Sequence, residues 1–417
     1  MNKRSEAQID TLFGTDKRII ALGFARMADA MGNSFLIVVL PLYIASGHVT
    51  GDFLGFSESL ITGIVLGLYG LMSSIFQPFA GRLSDRLGKR RLLVILGLIL
   101  FTFANYSFVL ADSYVILLVI RTAQGLSAAL TVTASIALVS ELSRQDSRGG
   151  NMGIYNSFRL IGFGIGPLAS GALIETAPYT LPFVGTIGGY EAAFYVASAA
   201  ALISAILVAA LVSDPEDIQP NTEPMVINIK SREPEYIFDP IFALGISTFI
   251  MSTGFALLTS IEPQVNSRLG QGAFLFSLEF SALVGSLAIF QPYIGTLSDR
   301  HGRKIFIVIG MICLAPTTLA QGLATAPWHM ILARSLQGIS AAMVFAPALA
   351  LAGDLAQKGQ EGAQLSLLTV SFGLGISFGA LVSGFAIRYG FLVPFAFGSV
   401  LAILGAVLVK TQIPENR

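Results

Sequence analysis

Apolar runs of bilayer length are the feature that most constrains this chain. The stretches 19–45, 92–110 and 195–212 could each cross a hydrocarbon layer of about 30 Å as a helix, and they are too long and too apolar for core helices of a soluble protein. Twelve such segments can be read: 19–45, 59–80, 92–110, 114–140, 152–175, 190–212, 241–262, 273–294, 305–325, 328–352, 364–387 and 391–410. Only 12% of the residues are charged and 54% are apolar, against about 25% charged in a soluble chain. Half of the solvated surface is therefore missing, and a reading of the 417 residues as two or three soluble domains is excluded. A membrane β-barrel is excluded too, because the runs do not alternate. The 43 glycines scattered inside them suit close helix packing in lipid. The first 18 residues are polar for too long to be a secretory signal, and the run after them lacks a cleavage site.

Basic residues predict the orientation. With the N-terminus inside, 19 of the 25 Lys and Arg fall on cytoplasmic segments and only Arg268 and Arg388 on external ones. That asymmetry predicts an even number of spans with both termini cytoplasmic. The remaining four, Arg26, Arg121, Arg159 and Arg334, fall within spans. Lys plus Arg equals Asp plus Glu, so no global charge points to nucleic acid. The single cysteine, Cys313, excludes an internal disulfide or a thiolate metal cluster.

The two halves of the chain repeat one another. QPFAGRLSDRLGKR at 77–90 matches QPYIGTLSDRHGRK at 291–304 in eight of fourteen positions, at an offset of 214. RTAQGLSAA at 121–129 matches RSLQGISAA at 334–342 at an offset of 213. Glu141–Leu142 with Asp354–Leu355, and Ser170–Gly171 with Ser383–Gly384, keep that spacing. The polar stretch 213–240, with five prolines, reads as a linker. The expected organisation is an N-terminal six-helix bundle at 1–212, a cytoplasmic linker at 213–240 and a C-terminal six-helix bundle at 241–417. Parallel repeats of this kind place a binding site between the halves near the bilayer midplane.

At these residues the chain resembles the major facilitator superfamily, and within it the twelve-span drug:proton antiporters. GRLSDRLGKRR from Gly81 resembles that group's loop motif between the second and third spans. LLVIRTAQGLSAA, around Arg121, resembles its fourth-span motif. GFGIGPLASG, from Gly162 to Gly171, resembles its fifth-span antiporter motif, with Ser170 where the family usually has glycine. The sugar-porter signature after the sixth span is absent; VSDPED stands there. The resemblance implies an all-α polytopic membrane protein with the major facilitator fold. It also implies a cytoplasmic latch in which Asp85 and Arg86 contact the other half. Gly81, Gly88, Arg90 and Glu141 support that latch, and Gly295, Asp299, Arg300, Gly302 and Asp354 are its repeat. Gly162, Gly166, Pro167 and Gly171 are implied to form a kinked surface that seals the halves on the outer side.

Ionisable residues inside spans each cost a few kcal/mol or more unless they face a cavity or a partner. Asp29 lies about 16 Å into the first span, with Arg26 one turn below and Asn33 one turn above. The stripe reads as a proton-coupling carboxylate or a structural ion pair, and the former is favoured. Arg121 matches the arginine that the family associates with proton transfer, and Arg334 is its duplicate. Glu279 is the carboxylate well inside the C-terminal half, a second proton or cation site or a boundary residue. Glu262 and Glu191 are expected at span boundaries, and Arg159 is expected to reach the cytoplasmic headgroups. Phe24, Phe35, Tyr69, Tyr155, Phe255, Phe280 and Phe345 are candidate cavity aromatics.

His48, His301 and His329 are dispersed and no Walker-type loop or zinc spacing occurs, so an enzyme, an ATP-driven pump, a metal and a cofactor are not expected. The predicted function is proton-coupled antiport of small amphiphilic compounds or drugs by a monomer in the plasma membrane, with the lipid bilayer, a small-molecule substrate and protons as partners. A proton-coupled symporter for a small nutrient is the alternative, because fold does not fix function.

Overall fold

Caps and prolines set where the helices begin and end. The computed structural model describes residues 11–12, 15–49, 54–143, 148–181, 185–215, 228–231, 234–355 and 361–414. The first six helices are α1 (Lys17–Ala45), α2 (Glu58–Leu87), α3 (Arg90–Ser107), α4 (Tyr114–Leu142), α5 (Arg148–Glu175) and α6 (Gly189–Leu211). After the linker come α7 (Pro240–Ala256), α8 (Glu262–Leu269), α9 (Ala273–His301), α10 (Arg303–Gly322), α11 (Pro327–Leu355), α12 (Glu361–Ala386) and α13 (Val393–Gln412). Asp16 caps α1 by accepting from the Arg18 amide at 2.8 Å, and Asp239 caps α7, where Pro240 takes the first turn and needs no donor. Gly88 ends α2 at φ +60°, a left-handed conformation that a side chain would strain.

Among the described residues, eleven helices are long and apolar enough to cross a membrane. The twelfth expected span, 241–262, is not continuous. Helix α7 has 17 residues and stops at Ala256, and α8 starts at Glu262. Pro263 sits in the first turn of α8, where its missing amide hydrogen is not needed, so the chain restarts there as a new helix. Hydroxyls after the break bind carbonyls: Thr259 donates to that of Ala256 at the end of α7 at 2.7 Å, and Ser260 to that of Ala380 in α12 at 2.9 Å. Half of the expected linker, at 216–227 and 232–233, lies outside the described residues.

Helix α1 packs on α5 and α6, α2 on α4, and α3 on α4 and α6. In the later group α9 packs on α11, α10 on α11 and α13, and α7 on α12 and α13. Two seams join the groups, α2 with α12 and α5 with α9. Small residues make the first seam possible. A Cβ on Gly67 would stand 2.9 Å from the Ser377 carbonyl oxygen, and one on Gly70 would stand 2.7 Å from that of Gly373.

The seams are uneven along their length. One end of the molecule carries the basic loops after α2 and α9. At the opposite end the groups are tied by Gln264 to Ser59 at 2.8 Å and by the Phe274 amide to Glu175 at 3.0 Å. Further in, Ser281 donates to the Gly164 carbonyl at 2.7 Å and Ser74 to that of Val370 at 3.4 Å. These ties run from the end opposite the basic loops to about the middle of α2 and α9. The molecule is clamped at one end and parted at the other.

Candidate functional site

Between the groups lies a narrow cavity lined from both sides. Asn33 and Ile37 of α1, Tyr69 of α2, Arg121 of α4 and Phe163 of α5 form one side. Phe255 of α7, Thr259 at the break, Phe280 of α9, and Ile376 and Ala380 of α12 form the other. An apolar, aromatic wall with a few convergent polar groups is the ordinary constitution of a small-molecule site. Discontinuous helices recur at such sites, because irregular backbone is tolerated in a membrane only where it is buried in protein or lines a cavity.

Arg121 is fully buried and held without a carboxylate. Its Nε donates to the Val65 carbonyl and one terminal nitrogen to that of Leu66, both at 3.0 Å. Its other terminal nitrogen donates to Gln124 at 3.0 Å, Asn33 lies at 3.5 Å, and the Tyr69 ring centroid is 5.1 Å from the guanidinium carbon. Gln124 in turn donates to Asn105 at 2.6 Å. The C-terminal repeat copies this chain of contacts: Arg334 donates to Gln337 at 2.9 Å, and Gln337 to Thr318 at 3.1 Å. Each of the three residues is displaced by 213 from its counterpart.

The copy fails at one place, and that place is chemical. At the offset of 214 that relates α2 to α9, Val65 becomes Glu279 and Leu66 becomes Phe280. Arg334 keeps a bond to the Phe255 carbonyl at 3.2 Å and lies 5.3 Å from the Phe280 ring centroid. Its Nε and one terminal nitrogen have no partner, and neither carboxylate oxygen of fully buried Glu279 has one among the described residues. Asp29 is placed differently. It is buried, ion-paired with Arg26 one turn away, and accepts from the Tyr69 hydroxyl at 3.2 Å. The stripe expected from sequence is thus assembled: Arg26 and Asp29 pair, while Asn33 serves Arg121.

Three expectations are corrected. Glu262 does not sit at a boundary facing headgroups; it is fully buried, because the break after α7 turns the start of α8 inward, and its near contact is Asn266 at 3.4 Å. Arg159 does not reach outward. Asn156 accepts from its Nε at 2.8 Å and its guanidinium lies over Phe372 of α12. Of the candidate aromatics, only Tyr69, Phe255 and Phe280 line the cavity; Phe35 and Tyr155 are buried in core, Phe24 stacks on Phe158 at 5.0 Å, and Phe345 backs Phe372 at 5.8 Å. The sequence reading also missed Phe163, which shares the helix of the fifth-span motif but carries no signal of its own.

The repeated loops form two matching triads within their own groups. Asp85 and Glu141 converge on Arg90 at 3.3 and 2.7 Å, while Arg86 is exposed. Asp299 lies 2.9 Å from Arg303, which also pairs with Asp354. Arg300 is likewise exposed, and Gly81 and Gly295 sit inside their helices. Arg303 was missed because the loop motifs align Arg90 with Lys304. The second loop is one residue shorter: Gly302 alone separates α9 from α10, where Gly88 and Lys89 separate α2 from α3. There the offset falls from 214 to 213. The fifth-span motif serves two neighbours. Gly162 and Gly166 face Met27 and Ser34 of α1, and Gly171 faces Ala273 and Ser277 of α9. Ser170 is buried and donates to the Pro167 carbonyl at 2.9 Å, so its hydroxyl is satisfied within the proline bend.

Known proteins share this architecture and part of the sequence. A bacterial homologue of the human lysosomal transporter Spinster, in an inward-facing and occupied conformation, superposes with a TM-score of 0.73 at 14% identity over 94% of both chains. A mutant form of the peptide transporter POT superposes with a TM-score of 0.75 at 14% identity, over 96% of this chain and 95% of that one. These show the fold. In sequence, the Quinolone resistance protein NorA of Staphylococcus aureus strain MRSA252 is 26% identical over 314 residues, covering 72% of this chain and 74% of its own. Multidrug resistance protein 2 of Bacillus subtilis strain 168 is 23% identical over 308 residues, 71% of each. The family model of the Major Facilitator Superfamily matches residues 22–235 and 244–417, nearly all of the helical part. A repeated helical unit, a cavity between the repeats and this match place the chain in the major facilitator superfamily of membrane transporters.

Proposed function

We propose that the chain is a proton-driven exporter of small amphiphilic compounds, working as a monomer in the plasma membrane by alternating access. The observation that carries this reading is the cavity lined from both groups of helices, with buried Arg121 on one wall and buried Glu279 behind the other. The names of the two bacterial relatives, quinolone and multidrug resistance, support drug-like cargo. In this proposal α7 and α8 together make the twelfth span, both termini and the basic end are cytoplasmic, and residues 1–212 and 241–417 are the moving halves joined by 213–240. The clamped, motif-bearing end is then external and the cavity opens inward.

Coupling is assigned to Asp29 and Glu279. Glu279 is buried in α9 with the Arg334 guanidinium as its cationic neighbour, so movement of the groups can change what answers its charge. Asp29, paired within its own helix, answers to whatever enters beside Tyr69 and Arg121. Asp85 and its triad act as the latch of the outward-open state, and the Gly162–Gly171 segment as the outer hinge. Substrate and proton then exclude one another from one cavity.

The test is proton release. Adding ethidium to the weakly buffered, detergent-solubilised protein should release protons, and Arg121→Ala should diminish that release. Cells carrying the chain should accumulate less ethidium, and collapsing the proton gradient should restore accumulation. Unchanged accumulation of a panel of dyes and antibiotics refutes drug export. Proton uptake accompanying substrate into vesicles would instead establish symport.

A further inference from the structure

Arg159 is a membrane-embedded cation that the coupling scheme does not use. It lies on α5 one turn before Phe163, which lines the cavity, and it is half-buried where the two groups of helices part. Its Nε is occupied by Asn156 at 2.8 Å. Among the described residues its two terminal nitrogens have no hydrogen-bond partner, and no carboxylate stands within ion-pair distance. Asp29 and Tyr155 lie near enough to act on its charge, but Asp29 makes its ion pair with Arg26. The guanidinium carbon lies 5.9 Å from the ring centroid of Phe372, which belongs to the other group. Phe372 is backed by Phe255, edge-on at 6.2 Å, and by Phe345 at 5.8 Å.

A cation at this depth costs a few kcal/mol or more unless something answers its charge. A guanidinium with both terminal nitrogens free is a planar fork that matches a carboxylate in two parallel hydrogen bonds. The ring beneath it, walled by two more, is a platform for a flat aromatic group. We propose that Arg159 and Phe372, next to the cavity-lining Phe163 and Phe255, form an acid-binding subsite beside the cavity, taking substrates that carry a carboxylate on an aromatic ring system. This rests on the export reading and narrows its substrate class. Because the two residues belong to opposite halves, a ligand held by both favours the conformation that brings them together.

The subsite is tested by binding to the purified full-length chain, with a fluorescent quinolone carboxylic acid, its methyl ester and ethidium as probes. The acid should bind at least tenfold more tightly than the ester, which keeps the ring and loses the charge. Arg159→Gln should bring that ratio close to one, Arg159→Lys should retain part of it, and ethidium affinity should stay within about twofold in both. Phe372→Ala should weaken acid and ester alike. Equal affinity of acid and ester for the unaltered chain, no binding of either, or a ratio that survives Arg159→Gln overturns the subsite. The comparison of acid with ester needs no variant, so misfolding cannot excuse a negative result. A ratio near one in a chain that still exports ethidium removes the subsite and leaves export standing. An Arg159-dependent ratio without export of either probe does the reverse.

Discussion

Charges at membrane depth are sorted in this protein by what answers them. Arg121 is answered by the ends of peptide dipoles and by amide side chains, Asp29 by Arg26 and a tyrosine hydroxyl, and Glu279 by the nearby Arg334 without a direct hydrogen bond. The difference assigns different consequences to two neutralising substitutions. Asp29→Asn removes a charge and leaves Arg26 without its partner, so uphill transport driven by a pH difference should be lost while exchange at equal pH survives. Retained uphill transport in reconstituted vesicles would move the coupling role to Glu279. Glu279→Gln is nearly isosteric with the protonated acid, so it should fold normally and still bind ethidium within a few-fold. The sequence made Asp29 and Glu279 visible as buried acids. It offered Arg26 as a partner for Asp29, but it held no sign of the Tyr69 hydroxyl, which reaches Asp29 across 40 residues of chain.

Among the elements, α2 carries the most constrained surface. Glycines along it let α12 approach to backbone contact on one side, while the α2 carbonyls of Val65 and Leu66 bind Arg121 on the other. Gly67→Leu should therefore do double damage, forcing the seam apart and shifting the carbonyls. Overpacking of this kind costs about 1–3 kcal/mol. The expected readout is a lower unfolding midpoint in detergent, together with loss of ethidium binding. The same substitution at Gly285, whose added Cβ would meet nothing within 4 Å, should change neither. Helix α7 teaches a related lesson. Hydropathy alone reads 241–262 as one span, yet Pro263 and the hydroxyls of Thr259 and Ser260 divide it at the cavity. Apolarity reports burial, and it is silent about where a buried helix stops.

For the whole molecule the governing fact is the unequal seam, tied at one end and open at the other. Ser59 and Gln264, hydrogen-bonded at 2.8 Å across the tied end, offer a direct probe. In a Cys313→Ser background, cysteines at those two positions should be joined by a short bis-maleimide in the resting protein, and joining them should stop transport. If Asp85 belongs to a latch of the opposite state, Asp85→Asn should raise the cross-link yield and slow turnover severalfold. Substrate affinity should remain within a few-fold, since the loop is remote from the cavity. A collapse of equilibrium binding with unchanged cross-linking would end the latch assignment.

Much of this protein was determined by its sequence alone. Helical membrane spans follow from run length and from the obligation to satisfy every backbone polar group in lipid. The duplication follows from motifs at a constant offset, and so does the matching of Arg121 with Arg334 and of Glu141 with Asp354. Tertiary structure decided what two copies of one unit do when they are no longer identical. It set the Phe280 ring beside Arg334 and turned Arg159 inward onto Phe372. It also put Arg303 in the role of Arg90 after the loss of a single loop residue. Those outcomes depend on which side chain meets which across distant segments. Local periodicity carries no record of that, because an arginine costs the same in any lipid-facing run until the fold supplies, or withholds, its partner.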